Sequence, residues 1–279
     1  MKKWALLVLW ILVLGQIASD TNAGMGLQVG PSRFRFFAPA GRSGTGKVRV
    51  ENKASYAVRV AVDITDTVTV KDKEGRYTGR DEAPAGSTPY SCAKWIKIIS
   101  GEGKILRPGE SSDVEFIVTP PPNVVSGGYA AYIFFLGEKA VVGAQSTRET
   151  LEMVTVPRLG ISIFFEVQGA VTRTGKLLDF SVKPPRGPEP LKIGYKFQNT
   201  GNADIELTGN FHLLDSRGNL AGKGPITTFR TFPGETSRAD TTWVGDLAPG
   251  HYTAVVTFEL GPNSTEALVK EIEFDVAKR

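Results

Sequence analysis

The sequence of 279 residues is poor in the side chains that disulfides, metal sites and most catalytic centres require. It contains one cysteine, Cys92, and two histidines, His212 and His251. A single cysteine excludes a disulfide within the chain, and two histidines that are distant in sequence provide little for a metal cluster. Ser237 has no G-x-S-x-G motif around it. We therefore predict a protein that is not an enzyme and that uses no metal or other cofactor.

Charge of one sign is also scarce, because 33 basic and 29 acidic residues leave a formal net charge of +4. The basic residues are dispersed, whereas nucleic-acid-binding proteins concentrate them in patches or stripes. We therefore expect no nucleic acid as a partner. The hydrophobic fraction of 41% is that of a folded chain. The 31 glycines and 17 prolines have no collagen-like period, so they predict many turns and favour strands over long helices.

The longest hydrophobic run lies at the N-terminus, where two lysines precede an apolar segment from Trp4 to Leu14. Eleven apolar residues are too few to span a membrane as a helix, which takes about 20. A charged start, a short apolar segment and small polar residues are typical of a secretory signal peptide. We predict a signal peptide over residues 1–23, cleaved after Ala23 or, as the alternative, after Ser19. The mature protein is then extracytoplasmic (periplasmic, or else secreted or on the cell surface) and has no stable membrane span.

The two halves of the remaining chain carry the same motifs. Residues 108–112 read Pro-Gly-Glu-Ser-Ser and recur as Pro-Gly-Glu-Thr-Ser over residues 233–237. Each copy follows a strand-like segment that ends in an asparagine, Asn52 in the first half and Asn199 in the second. Repetition of this kind predicts two copies of one structural unit.

Apolar residues at every second position predict that both units are built from strands. Residues 58–64, for example, read VRVAVDI, and turn signals separate this run from the next. About seven short strands in each half are typical of an immunoglobulin-like β-sandwich. We predict an all-β fold of two tandem immunoglobulin-like domains, over residues 24–168 and 169–279. Residues 71–91, which contain several glycines and prolines, are predicted as a long loop or a ragged edge region.

Four aromatic residues have positions that suggest structural roles. Trp95 and Trp243 are each placed in a predicted strand and interpreted as core residues, the alternative being an exposed ligand platform. Tyr129 and Tyr252 follow glycine-containing turns, as do the tyrosines of tyrosine corners, whose hydroxyl bonds to a backbone group a few residues upstream.

The segment from residue 159 to 167 differs from the other predicted strands in its pattern. Five apolar residues alternate along it, and Arg158 precedes them: Leu159, Ile161, Ile163, Phe165 and Val167. The simpler interpretation is the inner face of a sandwich strand. The alternative is an edge strand presented to a partner, because an open edge is a template for β-augmentation.

Four segments carry a family resemblance: Pro31-Ser32-Arg33-Phe34, residues 48–52 (VRVEN), residues 105–111 (ILRPGES) and residues 158–163 (RLGISI). Their order is similar to that in the N-terminal domain of PapD-like pilus chaperones. In that family two basic residues hold the C-terminal carboxylate of a pilus subunit, and the last strand of the domain lends its side chains to the subunit's open groove. The resemblance implies a carboxylate anchor formed by Arg33 and Arg158, although the family has a lysine where this chain has Arg158. It implies a partner-binding strand formed by Leu159, Ile161, Ile163, Phe165 and Val167.

The function implied is that of an exported, non-enzymatic protein-binding module. As a pilus-type chaperone it caps an incomplete sandwich subunit by β-strand donation, and its partner is a pilin-like subunit or another surface protein. The alternative is a structural or adhesion protein of the cell envelope or surface, whose domains serve as spacers. This alternative is supported by residues 197–202 (FQNTGN), which resemble the immunoglobulin-like domains of bacterial surface and envelope proteins.

Overall fold

The computed structural model describes residues 26–140, 158–261, 264 and 266–278. The predicted signal peptide lies outside these residues. Within them, no helix is long and apolar enough to cross a membrane. The helical structure that they contain is a 3-10 turn at Ala93–Trp95, and the remainder consists of strands and their connections.

Ten strands lie in the first half of the described chain. They are β1 (Leu27–Gly30), β2 (Arg33–Ala38), β3 (Gly44–Asn52), β4 (Val58–Lys71), β5 (Tyr77–Ala83), β6 (Ile96–Ser100), β7 (Ile105–Leu106), β8 (Ser111–Val118), β9 (Gly127–Lys139) and β10 (Arg158–Val167). One sheet has the order β1-β3-β8-β6 and the other the order β2-β10-β9-β4-β5, with β7 paired to β4. Apolar residues at alternate positions of both sheets face each other and form one core.

Eight strands form the second half. They are β11 (Gly175–Lys183), β12 (Leu191–Asn199), β13 (Ile205–Asp215), β14 (Leu220–Pro225), β15 (Phe229–Thr231), β16 (Thr236–Trp243), β17 (Gly250–Glu259) and β18 (Ala267–Val276). They make a sheet of order β11-β12-β16 and a second of order β14-β13-β17-β18, with β15 paired to β13. A second core fills the space between these sheets.

The predicted all-β fold of two immunoglobulin-like sandwiches is confirmed. The repeated motifs also have the same backbone bonds in both halves. The Gly109 N–H donates to the Asn52 carbonyl at 2.9 Å, and the Gly234 N–H donates to the Asn199 carbonyl at 3.0 Å. The exact domain boundary, between residues 168 and 169, stays a prediction.

Residues 77–83 lie in the segment predicted as a long loop or a ragged edge region, and they form the edge strand β5, because Arg80 and its neighbours continue the ladder of the long strand β4. One detail of the sequence-based prediction is wrong. Trp95, predicted in a strand, ends the 3-10 turn that leads into β6. Its ring is half-buried and packs 4.5 Å from that of Tyr129 and 6.0 Å from that of Phe165, at the margin of the first core.

Both predicted tyrosine corners have the expected hydrogen bond. The Tyr129 hydroxyl donates to the Val125 carbonyl at 2.9 Å, and the Tyr252 hydroxyl donates to the Ala248 carbonyl at 2.8 Å. In each case the acceptor lies four residues upstream, which fixes the start of β9 and of β17 in the same way.

Candidate functional site

Strand β10 turns its apolar face toward its own domain. The side chains of Ile161, Ile163, Phe165 and Val167 are buried in the first core, and that of Leu159 packs partly against it. The structure therefore agrees with the interpretation of this face as the inner side of a sandwich strand. A role for it in a partner's groove stays a prediction, and it would require these side chains to leave the core that they already fill.

The two edges of β10 are occupied to different extents. Strand β9 pairs with all of it, from Arg158 to Val167, whereas β2 pairs in parallel only with residues 162–167. Arg33, the first residue of β2, is opposite Ser162. Within the described part of the chain, residues 158–161 of β10 thus pair with a strand on the β9 side alone.

Arg158 lies on the outer face of this sheet and reaches away from β2. Its guanidinium donates to Asp63 at 2.7 Å and to Glu82 at 2.5 Å, and its central carbon lies 4.4 Å from the centre of the Phe134 ring. Asp63 belongs to β4 and Glu82 to β5, on the far side of β9. The Arg158 guanidinium is therefore directed toward β4 and β5, whereas Arg33 lies on β2, and the two share no contact among the described residues; an anchor formed by both arginines stays a prediction.

Arg33 is exposed and lines a cavity of about 430 Å³ between the two domains. The outer face of the sheet that contains β2, β10 and β9 forms one wall of this cavity, and β15 with its flanking residues and Glu206 of β13 forms the other. No carboxylate of the described residues forms an ion pair with Arg33; its guanidinium lies 6.0 Å from the centre of the Phe164 ring. Arg33 is therefore a positive charge at the wall of the cavity that no carboxylate of the described residues neutralises.

The domains are joined on one side of the cavity by ion pairs around Asp204, a carboxylate that is only 4% exposed. Arg35 of β2 donates two hydrogen bonds to it, at 2.9 and 2.7 Å, and Arg230 of β15 donates another. Arg173, between the domains, lies 3.6 Å from Asp204 and donates to Glu166 of β10 at 2.5 Å.

Burial acts to raise the pKa of Asp204, but the hydrogen bond from Arg35 and the charges of Arg35, Arg230 and Arg173 outweigh it. The pKa of the Asp204 carboxyl is therefore held below its ordinary value, so this buried group is negatively charged at neutral pH. Three arginines around one carboxylate leave an excess of two positive charges, which would be unfavourable. Glu166 and Glu206 balance this excess through their ion pairs with Arg173 and Arg230.

A second contact joins the domains on the other side of the cavity. The ring of Phe232 stacks on Tyr90 with centres 4.4 Å apart, and the Tyr90 hydroxyl donates to Glu235 at 2.8 Å. The guanidinium of Arg80 lies 4.2 Å from the centre of the Phe232 ring and 3.5 Å from Glu235. Phe164 stacks 6.4 Å from Phe232, so aromatic rings continue from one contact toward the other.

The sequence analysis did not identify this second contact or the Asp204 cluster. Glu235 belongs to the repeated Pro-Gly motif and Phe232 directly precedes it, and the motif predicts a turn without showing what the turn contacts. A signal was present in the first copy, where Arg107 takes the place of Phe232. An apolar ring at the exposed end of a turn, next to a proline, is uncommon unless another surface covers it.

The residues considered for catalysis or metal binding are not part of this site. His251 lies on the surface, where its Nδ1 is 2.9 Å from Asp275. Cys92 is fully buried, and burial raises the pKa of its thiol. In the described residues, no group of three or more histidine, cysteine, aspartate and glutamate side chains has the arrangement of a metal site.

No family model matches this sequence, and no curated protein matches it. Among solved structures, the chain is similar to the class 5 fimbriae chaperone CfaA, with 12% identity, 88% of this chain and 98% of that chain covered, and a TM-score of 0.44. It is similar to the YadV chaperone, with 9% identity, 90% and 100% coverage and a TM-score of 0.46. For the E. coli chaperone DraB the identity is 15%, the coverage 91% and 99%, and the TM-score 0.39. Because these identities and TM-scores are low, a function for this chain has to be argued from the residues of the cavity between the domains.

Proposed function

We propose that this chain is an exported, non-enzymatic protein-binding module that holds the C-terminal end of a partner polypeptide between its two domains, as a pilus-type chaperone does. The observation that carries this proposal is the free charge of Arg33 at the inter-domain cavity. The other arginines in and around the cleft, Arg35, Arg80, Arg173 and Arg230, all lie within 4.0 Å of a carboxylate of this chain.

A terminal carboxylate is a suitable ligand for such an arginine. A guanidinium binds a carboxylate through two parallel hydrogen bonds, and this pairing fixes the orientation of the bound group as well as its charge. Because Arg33 is held at the start of β2, opposite Ser162, a carboxylate bound to it has a defined position relative to β10.

Beyond the end of β2, none of the described strands pairs with residues 158–161 of β10 on the side of Arg33. The Ser162 N–H donates to the Ser32 carbonyl at 2.9 Å, so the backbone groups of Ser162 point toward β2. Backbone groups alternate between the two edges along a strand, so those of Gly160, two residues earlier, point toward the same edge, beyond the end of β2. A partner segment that ends at Arg33 is able to pair there, parallel to β10.

This arrangement differs from the one expected from the resemblance. The exchange uses the backbone edge of residues 158–161, while the apolar face of β10 stays in its own core. The partner's terminus is held by Arg33 alone, since Arg158 is engaged with Asp63 and Glu82 on the other side. The partner is accordingly an extracytoplasmic polypeptide with an accessible C-terminal strand, such as a pilin-like subunit.

The test compares two octapeptide libraries, each randomised at its last two positions, with free or amidated C-termini. We expect the mature protein, from residue 24 onward, to bind the free-carboxylate library at least about tenfold more tightly. Arg33→Ala abolishes this preference, whereas Arg59→Ala, which removes an exposed arginine of β4 outside the cleft, leaves it unchanged. If the domains are spacers of an envelope or surface protein, neither library binds, and the proposal is then wrong.

A further inference from the structure

The cavity beside Arg33 is lined by polar and charged side chains and by five aromatic rings. The rings are those of Tyr77, Tyr132, Phe164, Phe229 and Phe232, from both domains. With a volume of about 430 Å³ the cavity lies in the range of about 300–1,000 Å³ that is common for small ligands. It therefore has room for one or two amino-acid side chains and not for an element of secondary structure.

The rings are held in place from behind, so the cavity does not need to be organised by its ligand. Phe229 is 3% exposed, and its ring stacks on Tyr77 at 5.6 Å and on Tyr195 at 6.2 Å. Phe232 is 1% exposed and is fixed by its stacking on Tyr90. A wall with fixed rings binds a further ring at a lower cost in conformational entropy than flexible side chains would.

The charges of the cavity favour a ligand with a single negative group. Arg80 and Arg230 are already paired, with Glu235 in one case and with Asp204 and Glu206 in the other. Glu206 is the carboxylate of the lining, and its pairing with Arg230 reduces its repulsion of an anion. Arg33 has no ion pair within the described part of the chain, so one carboxylate is accommodated next to the aromatic rings.

We infer that this cavity receives an aromatic side chain and that the polypeptide bound by this protein ends in an aromatic residue, its carboxylate at Arg33 and its ring among Tyr77, Tyr132 and Phe229. The inference rests on the proposed function, and it adds a preference for the identity of the last residue. A polypeptide is favoured over a free aromatic acid because the unpaired edge at Gly160 lies next to Arg33 and bonds to a backbone.

The test uses defined octapeptides of alternating valine and threonine that end in phenylalanine or in alanine. Binding to the mature protein is measured by calorimetry, with N-acetylphenylalanine as a separate probe. We expect the peptide that ends in phenylalanine to bind at least about tenfold more tightly than the one that ends in alanine, because its ring is removed from water in the cavity. N-acetylphenylalanine binds far more weakly than either peptide.

A cavity-filling variant provides a second measurement. Thr228 is exposed and lines the cavity without belonging to a core, so Thr228→Trp places an indole in the space reserved for the ligand's ring. We expect this variant to lose the preference for phenylalanine and to retain its melting temperature. Ser55→Trp, at an exposed position in the loop between β3 and β4, is the matched control and retains the preference.

The outcomes separate the inference from the proposed function. Equal affinity of the two peptides, with Arg33→Ala still harmful, overturns the aromatic preference and leaves the carboxylate site intact. Absence of binding for every peptide overturns both. Binding of N-acetylphenylalanine as tight as that of the peptide shows a small-molecule site and overturns the polypeptide ligand.

Discussion

Asn52 and Asn199 make the same three side-chain hydrogen bonds in the two domains. Each donates from Nδ2 to the carbonyl four residues later, that of Tyr56 or Ala203. Each also donates from Nδ2 to a second carbonyl, close to the repeated Pro-Gly turn. At Oδ1, each accepts a hydrogen bond from the backbone N–H two residues later. Both side chains are fully buried. The asparagine therefore joins two connections of each sandwich, and this explains its recurrence in the sequence.

Replacement of Asn52 by alanine should destabilise the first domain. The carbonyls of Tyr56 and Leu106 lose their donor in a buried place, and such unsatisfied groups cost about 1–3 kcal/mol. We expect the free energy of unfolding in urea to fall by about 2–3 kcal/mol. Asn210→Ala, at an exposed position of β13, is the control and should change it by less than about 0.5 kcal/mol. Equal effects of the two variants would contradict a structural role for Asn52.

Replacement of Asp204 by asparagine should weaken the contact between the domains. The change leaves the three guanidinium groups of Arg35, Arg173 and Arg230 without their shared carboxylate. Removal of one partner from a buried ion pair costs about 3–5 kcal/mol, so urea unfolding at neutral pH should show a loss of this size. Asp179→Asn, which affects an exposed pair with Arg238, should cost at most about 1 kcal/mol.

The wild-type protein and Asp204→Asn should differ in their response to acid. The pKa of Asp204 is lower in the folded than in the unfolded state, so its contribution to stability is complete above the ordinary value of 3.8. The contribution is lost as the pH falls through the lower, folded-state pKa. The difference in unfolding free energy between wild type and Asp204→Asn should therefore be constant from pH 5 to 7 and narrow below about pH 4. A difference independent of pH down to pH 2 would exclude this role of the charge.

The sequence was sufficient for the fold because its information is local. Alternation along residues 58–64, the asparagines that end β3 and β12, and the repeated Pro-Gly turns each depend on neighbouring residues only. The cleft depends on residues far apart in the chain: Arg35 meets Asp204, and Tyr90 meets Glu235. No local pattern shows such pairs. A role for Arg33 is suggested by its motif and stays a prediction, whereas no local pattern shows the acidic partners of Arg158.

Trp95 shows how partial burial changes an energetic expectation. A fully buried tryptophan costs about 3–5 kcal/mol when it is truncated to alanine. Because the Trp95 ring is half-buried, we expect Trp95→Ala to lower the free energy of unfolding by about 2–3 kcal/mol, mainly through its contacts with Tyr129 and Phe165. An unchanged thermal melt would show that the ring does not contribute to the core, and its role as a ligand platform would then need to be tested.

Arg33 and Arg158 should behave differently when each is replaced by alanine. Arg33 faces the cavity and has no ionic partner among the residues that the structure describes, whereas the charge of Arg158 is neutralised by Asp63 and Glu82 across β9. Since a guanidinium that reaches toward β4 and β5 is not aimed at a terminus bound beside β2, Arg158→Ala should change the affinity for free-carboxylate peptides by less than about threefold. It should cost about 1 kcal/mol of stability or less, as expected for partly exposed ion pairs.

Arg33→Ala should show the reverse, with unchanged stability and at least about tenfold weaker binding. If Arg158→Ala weakens binding as strongly as Arg33→Ala, both arginines hold the terminus, as the resemblance to pilus chaperones implied. Arg158 would then have to exchange its two carboxylates for the ligand when the partner binds.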